Sequence, residues 1–198
     1  MTGLSFREST RMQLRDRLLD AAQAITVESG WAAVTMAKIA DAAGVSRQTV
    51  YNEFGNKGDL ADELISRELG RFLEVVRSRL LAHDDVVAGV TDACEGALSM
   101  ARSNPLLKAA LDLAQSSTNE LLPLLTTDSQ ALIDTAALTV ETVINDHYGD
   151  IGLSPHRLHL AADAIVRLVL SHIMRPSGSP ADASAQIGWI ASQTLTRS

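Results

Sequence analysis

Apolar residues recur at intervals of three and four along most of the 198-residue chain, the spacing that puts them on one face of an α-helix. Over residues 11–29 the stripe is Leu14, Leu18, Ala22 and Ile25, and Gly30 stops it. Thr35 then stands as N-cap to "MAKIADAAG", where Met36, Ile39, Ala40 and Ala43 share a face and Gly44 supplies a left-handed turn. Ser46 caps a short helix ending near Gly55. Asn56 caps a longer one, 57 to about 81, with Leu60, Leu64, Phe72 and Val76 facing inward. Residues 86–102 continue the pattern through Val86, Val90, Ala93, Ala97 and Met100. Pro105 and Pro123 punctuate two short helices, near 105–115 and 118–123, and a longer one spans about 128–147. "SPHRL" is a strong start, with Ser154 as N-cap and Pro155 in the first helical position, for a helix reaching 174. The loop "RPSGSP" precedes a last helix, about 181–196, with Ile187, Ile190 and Ala191 on one side. No segment alternates as a strand would, so the predicted class is all-α, about nine helices in all.

Charge adds a regional contrast. The net charge is -7, yet residues 1–60 hold seven basic side chains (Arg7, Arg11, Arg15, Arg17, Lys38, Arg47, Lys57) and seven acidic ones. The whole excess of acid lies in residues 61–198. A neutral region can still bind nucleic acid if its cations gather on one side; a broad polybasic surface is excluded. The single cysteine, Cys94, rules out a disulfide framework within one chain and reads as a small buried apolar residue. No run of about 18 apolar residues offers a membrane span. The opening "MTGLSFREST" lacks the apolar stretch of a signal peptide. Both features predict a cytoplasmic protein with no membrane partner.

Candidate chemistry concentrates in "VSRQTVYNEFGNK", residues 45–57. A short helix, a turn on Gly44 and a second helix from Ser46 make a helix-turn-helix, whose second helix enters the major groove. Val50 and Phe54 fall on the side that packs against the preceding helices. Opposite them lie Gln48, Thr49 and Asn52, flanked by Tyr51, with Arg47 in the first turn. Arginine pairs with guanine, and glutamine or asparagine with adenine. Thr35, Thr49, Tyr51 and Lys57 suit phosphates, helped by backbone N–H groups at the starts of the second and fourth helices. An ordinary solvated helix would carry Glu and Lys there and would bury its tyrosine. The competing reading is an all-helical adaptor or ligand-binding protein that offers the same polar helix to a protein partner.

No enzyme motif is present: G-x-S-x-G, G-x-G-x-x-G, the Walker loop and H-E-x-x-H are all missing. The chain is therefore read as a non-enzyme with no cofactor. His156, His159 and Asp163 can be imagined as metal ligands but read better as solvent-facing residues; His147 and His172 stand alone.

The stretch "TMAKIADAAGVSRQTVYNEFGNKGDL" resembles the DNA-binding signature of TetR-family transcriptional regulators. The resemblance is specific over roughly residues 11–65, where Thr35, Ile39, Ala40, Ala43, Gly44, Val45, Ser46, Thr49, Tyr51, Phe54, Lys57 and Leu60 stand in the family pattern. Arg47-Gln48 departs from the commonest form, which suggests a distinct operator preference. Glu53 is acidic near the groove, and its two readings are to orient Arg47 or to accept from cytosine. The resemblance implies a helix-turn-helix domain over 1–55 that contacts DNA through Thr35, Ser46, Arg47, Gln48, Thr49, Tyr51, Asn52 and Lys57. It implies a ligand-binding and dimerisation domain over 56–198. A homodimer would form through the last two helices, with Leu158, Ala162, Ile165, Val169, Ile187 and Ile190 at the seam and Trp189 either anchoring it or capping the core. Such a dimer binds a palindromic double-stranded operator, most commonly as a repressor. An effector pocket is implied among the central helices, and the apolar candidates to line it are Phe72, Val76, Cys94, Leu98, Leu111, Val140 and Ile144. That lining predicts a small hydrophobic effector such as a fatty acid, acyl or alkyl compound.

Overall fold

The computed structural model describes residues 6–112 and 130–195, and every regular element among them is helical. Nine α-helices are described: α1 (Phe6–Ser29), α2 (Met36–Ala43), α3 (Arg47–Phe54), α4 (Lys57–Leu80), α5 (Val86–Ser103), α6 (Pro105–Asp112), α7 (Gln130–Val143), α8 (Pro155–Met174) and α9 (Pro180–Leu195). A 3-10 turn, Trp31–Ala33, joins α1 to α2, and a π-helical turn, Ile144–Tyr148, continues α7. The helix predicted near 118–123 lies outside the described residues. So does the start of the one predicted from 128.

The chain divides into two compact units, Met1–Glu68 with Pro105–Thr126 and Leu69–Asn104 with Thr127–Ser198. The first is built on Leu18, Leu19, Ala22, Trp31, Val34, Met36, Ile39, Val50, Phe54, Leu60, Leu64 and Leu106, all buried in one cluster. Thr26 is a buried polar residue of this unit, and its hydroxyl is satisfied by donating to the Ala22 carbonyl at 2.7 Å. α1 starts five residues before the predicted position. Its extra turn leaves Phe6 86% exposed, so no apolar stripe marks it. α2 keeps the predicted face, with Met36, Ile39 and Ala40 buried.

In the second unit α5 packs along α9 and against α8. The α5–α9 approach is close because α9 has Gly188 there: a Cβ at that position would collide with the Thr91 side chain of α5. The α4–α5 corner is tied polar group by polar group. Asp92 pairs with Arg79 and hydrogen-bonds to His83 at 3.1 Å. Asp85 caps α5 by accepting from Ala88 N at 2.7 Å. The π-turn brings Tyr148 and His147 to the same corner, where Tyr148 donates to the Leu80 carbonyl at 2.5 Å and His147 Nε2 meets the His83 carbonyl at 3.0 Å. Burial works to raise the Asp92 carboxyl, and the hydrogen bonds from His83 and Arg79 outweigh it, leaving the group below its ordinary 3.8.

The seam predicted from the sequence needs correction. Leu158 at 3%, Ala162 at 0%, Ile165 at 5% and Ile187 at 1% exposure are spent on the protomer's own core and have no surface to offer a partner. Val169 and Ile190 are half-buried. The large apolar groups left outward on α8 and α9 are Leu160, 53% exposed, and Trp189, 68% exposed, so Trp189 does not cap the core.

Candidate nucleic-acid interface

The turn between α2 and α3 is set by Gly44, whose φ of 69° is the left-handed conformation that side chains with a Cβ resist. It lets Val45 N reach the Ala40 carbonyl at 3.0 Å and closes the end of α2. Ser46 then starts α3: its Oγ accepts from Thr49 N at 3.1 Å and lies 2.9 Å from Thr49 Oγ1. At the start of α2, Thr35 Oγ1 accepts from Lys38 N at 3.2 Å, leaving its own hydroxyl hydrogen to donate outward. Thr35 and Ser46 therefore act first as caps, and Thr49 is drawn into the cap of its own helix.

α3 presents two faces of opposite character. Val50 and Phe54 sink into the core at 0% and 4% exposure, while Arg47, Gln48, Tyr51 and Asn52 stand outward. Tyr51 is 49% exposed, an uncommon position for a large ring with nothing to cover it. Gln48 Nε2 donates to Asn52 Oδ1 at 2.9 Å, one turn along the helix. Lys57 lies with its ammonium 5.1 Å from the centroid of the Trp31 ring, a cation–π contact that steadies it at the start of α4.

Glu53 performs neither role its position suggested. Its side chain is 12% exposed and turned toward α1, where Arg11 Nε contacts Oε2 at 2.9 Å and Oε1 at 3.2 Å. Arg15 donates to the Glu53 carbonyl at 2.7 Å, pairs with Glu63 Oε1 of α4 at 2.8 Å, and lies 4.7 Å over the Phe54 ring. Two arginines of α1 thus neutralise the acid nearest the reading face and lock the end of α3 in place. Sequence reasoning missed this clamp; the available signal was the pair Arg11 and Arg15, four apart and therefore on one side of α1. It also left too much to the start of α4. Asn56 Oδ1 already accepts from Gly58 N at 2.7 Å and Asp59 N at 3.0 Å, so those two N–H groups are not available to a phosphate.

Residues 85–193 match the model for the C-terminal domain of the bacterial tetracyclin repressor, and residues 18–64 match that of the bacterial regulatory proteins of the tetR family. The chain belongs to the TetR family. Like its relatives in that family it is a helix-turn-helix transcriptional regulator and not an enzyme. The HTH-type transcriptional regulator AlkX of Mycobacterium tuberculosis is 32% identical over 93% of this chain and 86% of its own length. An uncharacterized HTH-type regulator of the same species is 26% identical over 94% of this chain and 88% of its own. Among solved structures, the TetR family repressor AlkX from Dietzia sp. strain DQ12-45-1b, implicated in biodegradation of n-alkanes, superposes with a TM-score of 0.73 at 27% identity, covering 91% of this chain and 94% of that one.

The candidates for the TetR-type effector site fall in one place for the most part. Cys94, Leu98, Val140 and Ile144 are buried in the core of the second unit, with Val76 packed against it. Phe72 is half-buried on α4, and the Leu111 side chain lies outside the described residues. Of the residues weighed as metal ligands, His159 Nδ1 meets Glu141 at 2.8 Å and Asp163 pairs with Arg167 at 2.8 Å; His172 contacts Ser177 at 3.1 Å. Among the described residues no helix is long and apolar enough to cross a membrane.

Proposed function

We propose that this TetR-family regulator is a repressor that binds a palindromic DNA operator as a homodimer in the cytoplasm and leaves it when a small hydrophobic molecule binds. The observation that carries the DNA-reading part is the outer face of α3. Arg47, Gln48, Tyr51 and Asn52 stand on one exposed surface, rich in donors and free of acid because Glu53 is turned away onto Arg11 and Arg15. A two-fold dimer would place two such helices about one turn of DNA, ~34–36 Å, apart. Two copies would meet through α8 and α9 by way of Leu160 and Trp189, which are apolar and outward.

The effector reading rests on the apolar surroundings of Cys94, Leu98, Val140 and Ile144. The similarity to the Dietzia repressor implicated in n-alkane biodegradation supports an alkyl or acyl compound. The test is selection of purified protein against random duplex DNA at moderate salt, followed by challenge of the complex with n-alkanes and fatty acids. Enrichment of a palindrome, steep loss of binding with salt and release by the alkyl compounds are the expected results. Release by polar compounds alone would overturn the effector class. Binding that ignores salt and sequence would favour the adaptor reading.

A further inference from the structure

Gln48 and Asn52 are exposed one turn apart on α3 and are already joined: Gln48 Nε2 donates to Asn52 Oδ1 at 2.9 Å. That bond divides their remaining chemistry. An amide has two N–H donors and one acceptor oxygen. Gln48 has spent one N–H and keeps its oxygen with the other N–H. This donor-and-acceptor edge matches adenine, which presents N7 as acceptor and the N6 amino group as donor in the major groove. Asn52 turns its oxygen to Gln48 and keeps both hydrogens of Nδ2, so the end of the amide left without a partner on α3 is the donor. A donor fits the O4 of thymine or the N7 and O6 of guanine; it does not fit cytosine, which offers only its N4 amino group.

Resting on the DNA-reading assignment above, we propose that Gln48 and Asn52 act as one coupled reader of two base pairs, an adenine under Gln48 beside a base pair whose contacted base offers an acceptor to Asn52. Arg47 precedes the pair on the same helix with a guanidinium that is donor-only. The acceptor on Gln48 therefore makes adenine distinguishable from its neighbours. Ser46 and Thr49 are engaged with each other in the cap, their hydroxyls 2.9 Å apart.

Coupling gives the proposal a signature that two independent readers would lack. Gln48→Ala removes the adenine contact and also releases the Asn52 amide from the bond that orients it, so that its oxygen can turn to the DNA as well as its Nδ2. Asn52→Asp keeps an acceptor oxygen for Gln48 and replaces the outward donor by an acceptor. The experiment is selection of wild type, Gln48→Ala and Asn52→Asp from random duplex DNA, read by sequencing, with a thermal melt to establish that each is folded. Wild type is expected to enrich a palindrome with an adenine and an adjoining acceptor-presenting base in each half. Gln48→Ala should lose the adenine preference by roughly 5- to 150-fold, the factor for one bidentate contact, and broaden the adjoining position too. Asn52→Asp should turn only the adjoining position, toward cytosine or adenine. A palindrome in which Gln48→Ala alters one position alone, or one with no adenine at the position it alters, overturns the coupled reader and leaves the operator assignment standing. Absence of any enriched palindrome from folded wild type overturns the DNA-reading assignment, and the coupled reader with it.

Discussion

Arg15 shows how one side chain serves both fold and function. Its guanidinium meets the carbonyl of Glu53 at 2.7 Å, the carboxylate of Glu63 at 2.8 Å and the face of Phe54, three contacts from three directions that a planar fork can make and an ammonium cannot. Arg15→Ala is expected to cost about 1.5–3 kcal/mol in urea unfolding, the range for hydrogen bonds to charged groups. It should also weaken operator binding, because the end of α3 loses its tether while Arg47, Gln48 and Asn52 remain. Arg15→Lys should recover part of the stability and little of the binding. Cys94 presents the opposite case. Burial pushes its thiol up to about 12, so the thiolate that reacts is scarce at neutral pH. Ellman's reagent at pH 8 is expected to leave the native protein unlabelled and to react with one thiol per chain in guanidinium; labelling of the native protein at the rate of a free thiol would show the core around Cys94 to be open.

Among the elements, α2 and α3 were legible in the sequence because each carries its own signals: an N-cap hydroxyl, an apolar stripe and a glycine after the last turn. The start of α1 was not, since its first turn is exposed all round and has no stripe to read. The seam residues were misassigned for a related reason. Leu158, Ala162 and Ile165 of α8 do form an apolar face, but periodicity states only that a face is covered, and here α8's own protomer covers it. The α4–α5 corner was illegible as well, since it depends on Arg79, His83, Asp92 and Tyr148 meeting across helices. Its acid dependence follows from Asp92. A carboxyl held below 3.8 by His83 and Arg79 contributes stability that is present above its unfolded pKa and is lost as pH falls through its lower folded value. Asp92→Asn should therefore be less stable than wild type at neutral pH, with a gap that closes as the pH falls below about 4. Urea midpoints from pH 7 to 2 would measure this, and a gap unchanged at pH 2 would mean that the Asp92 charge is not the stabilising feature.

At the scale of the whole molecule, the exposed tryptophan is where the proposed dimer can be tested. The chain has two tryptophans: Trp31 is sealed in the core at 2% exposure, and Trp189 stands on α9 at 68%. A large apolar ring so exposed is the kind of anchor that centres an interface, and in a two-fold dimer it meets the same face of the partner, so a single substitution acts twice. Trp189→Asp would bury two carboxylates against apolar surface, a cost the seam has no cation on α9 to offset, since the only charged side chain on that helix is Asp182. The variant is expected to sediment as a monomer at concentrations where wild type is a dimer, with its thermal melt close to that of wild-type protein diluted below its dimer dissociation constant. Operator affinity should then fall on the order of 10²- to 10⁴-fold, because the second half-site is no longer presented at the effective concentration that the dimer provides. Binding to an isolated half-site should not change, since the groups on α3 are untouched. Wild type carries an internal check, as Trp189 emission should shift to the blue on dimerisation while Trp31 emission stays fixed. A Trp189→Asp protein that remains dimeric, or a monomeric one that still binds the full palindrome as tightly as wild type, would place the interface elsewhere on the molecule.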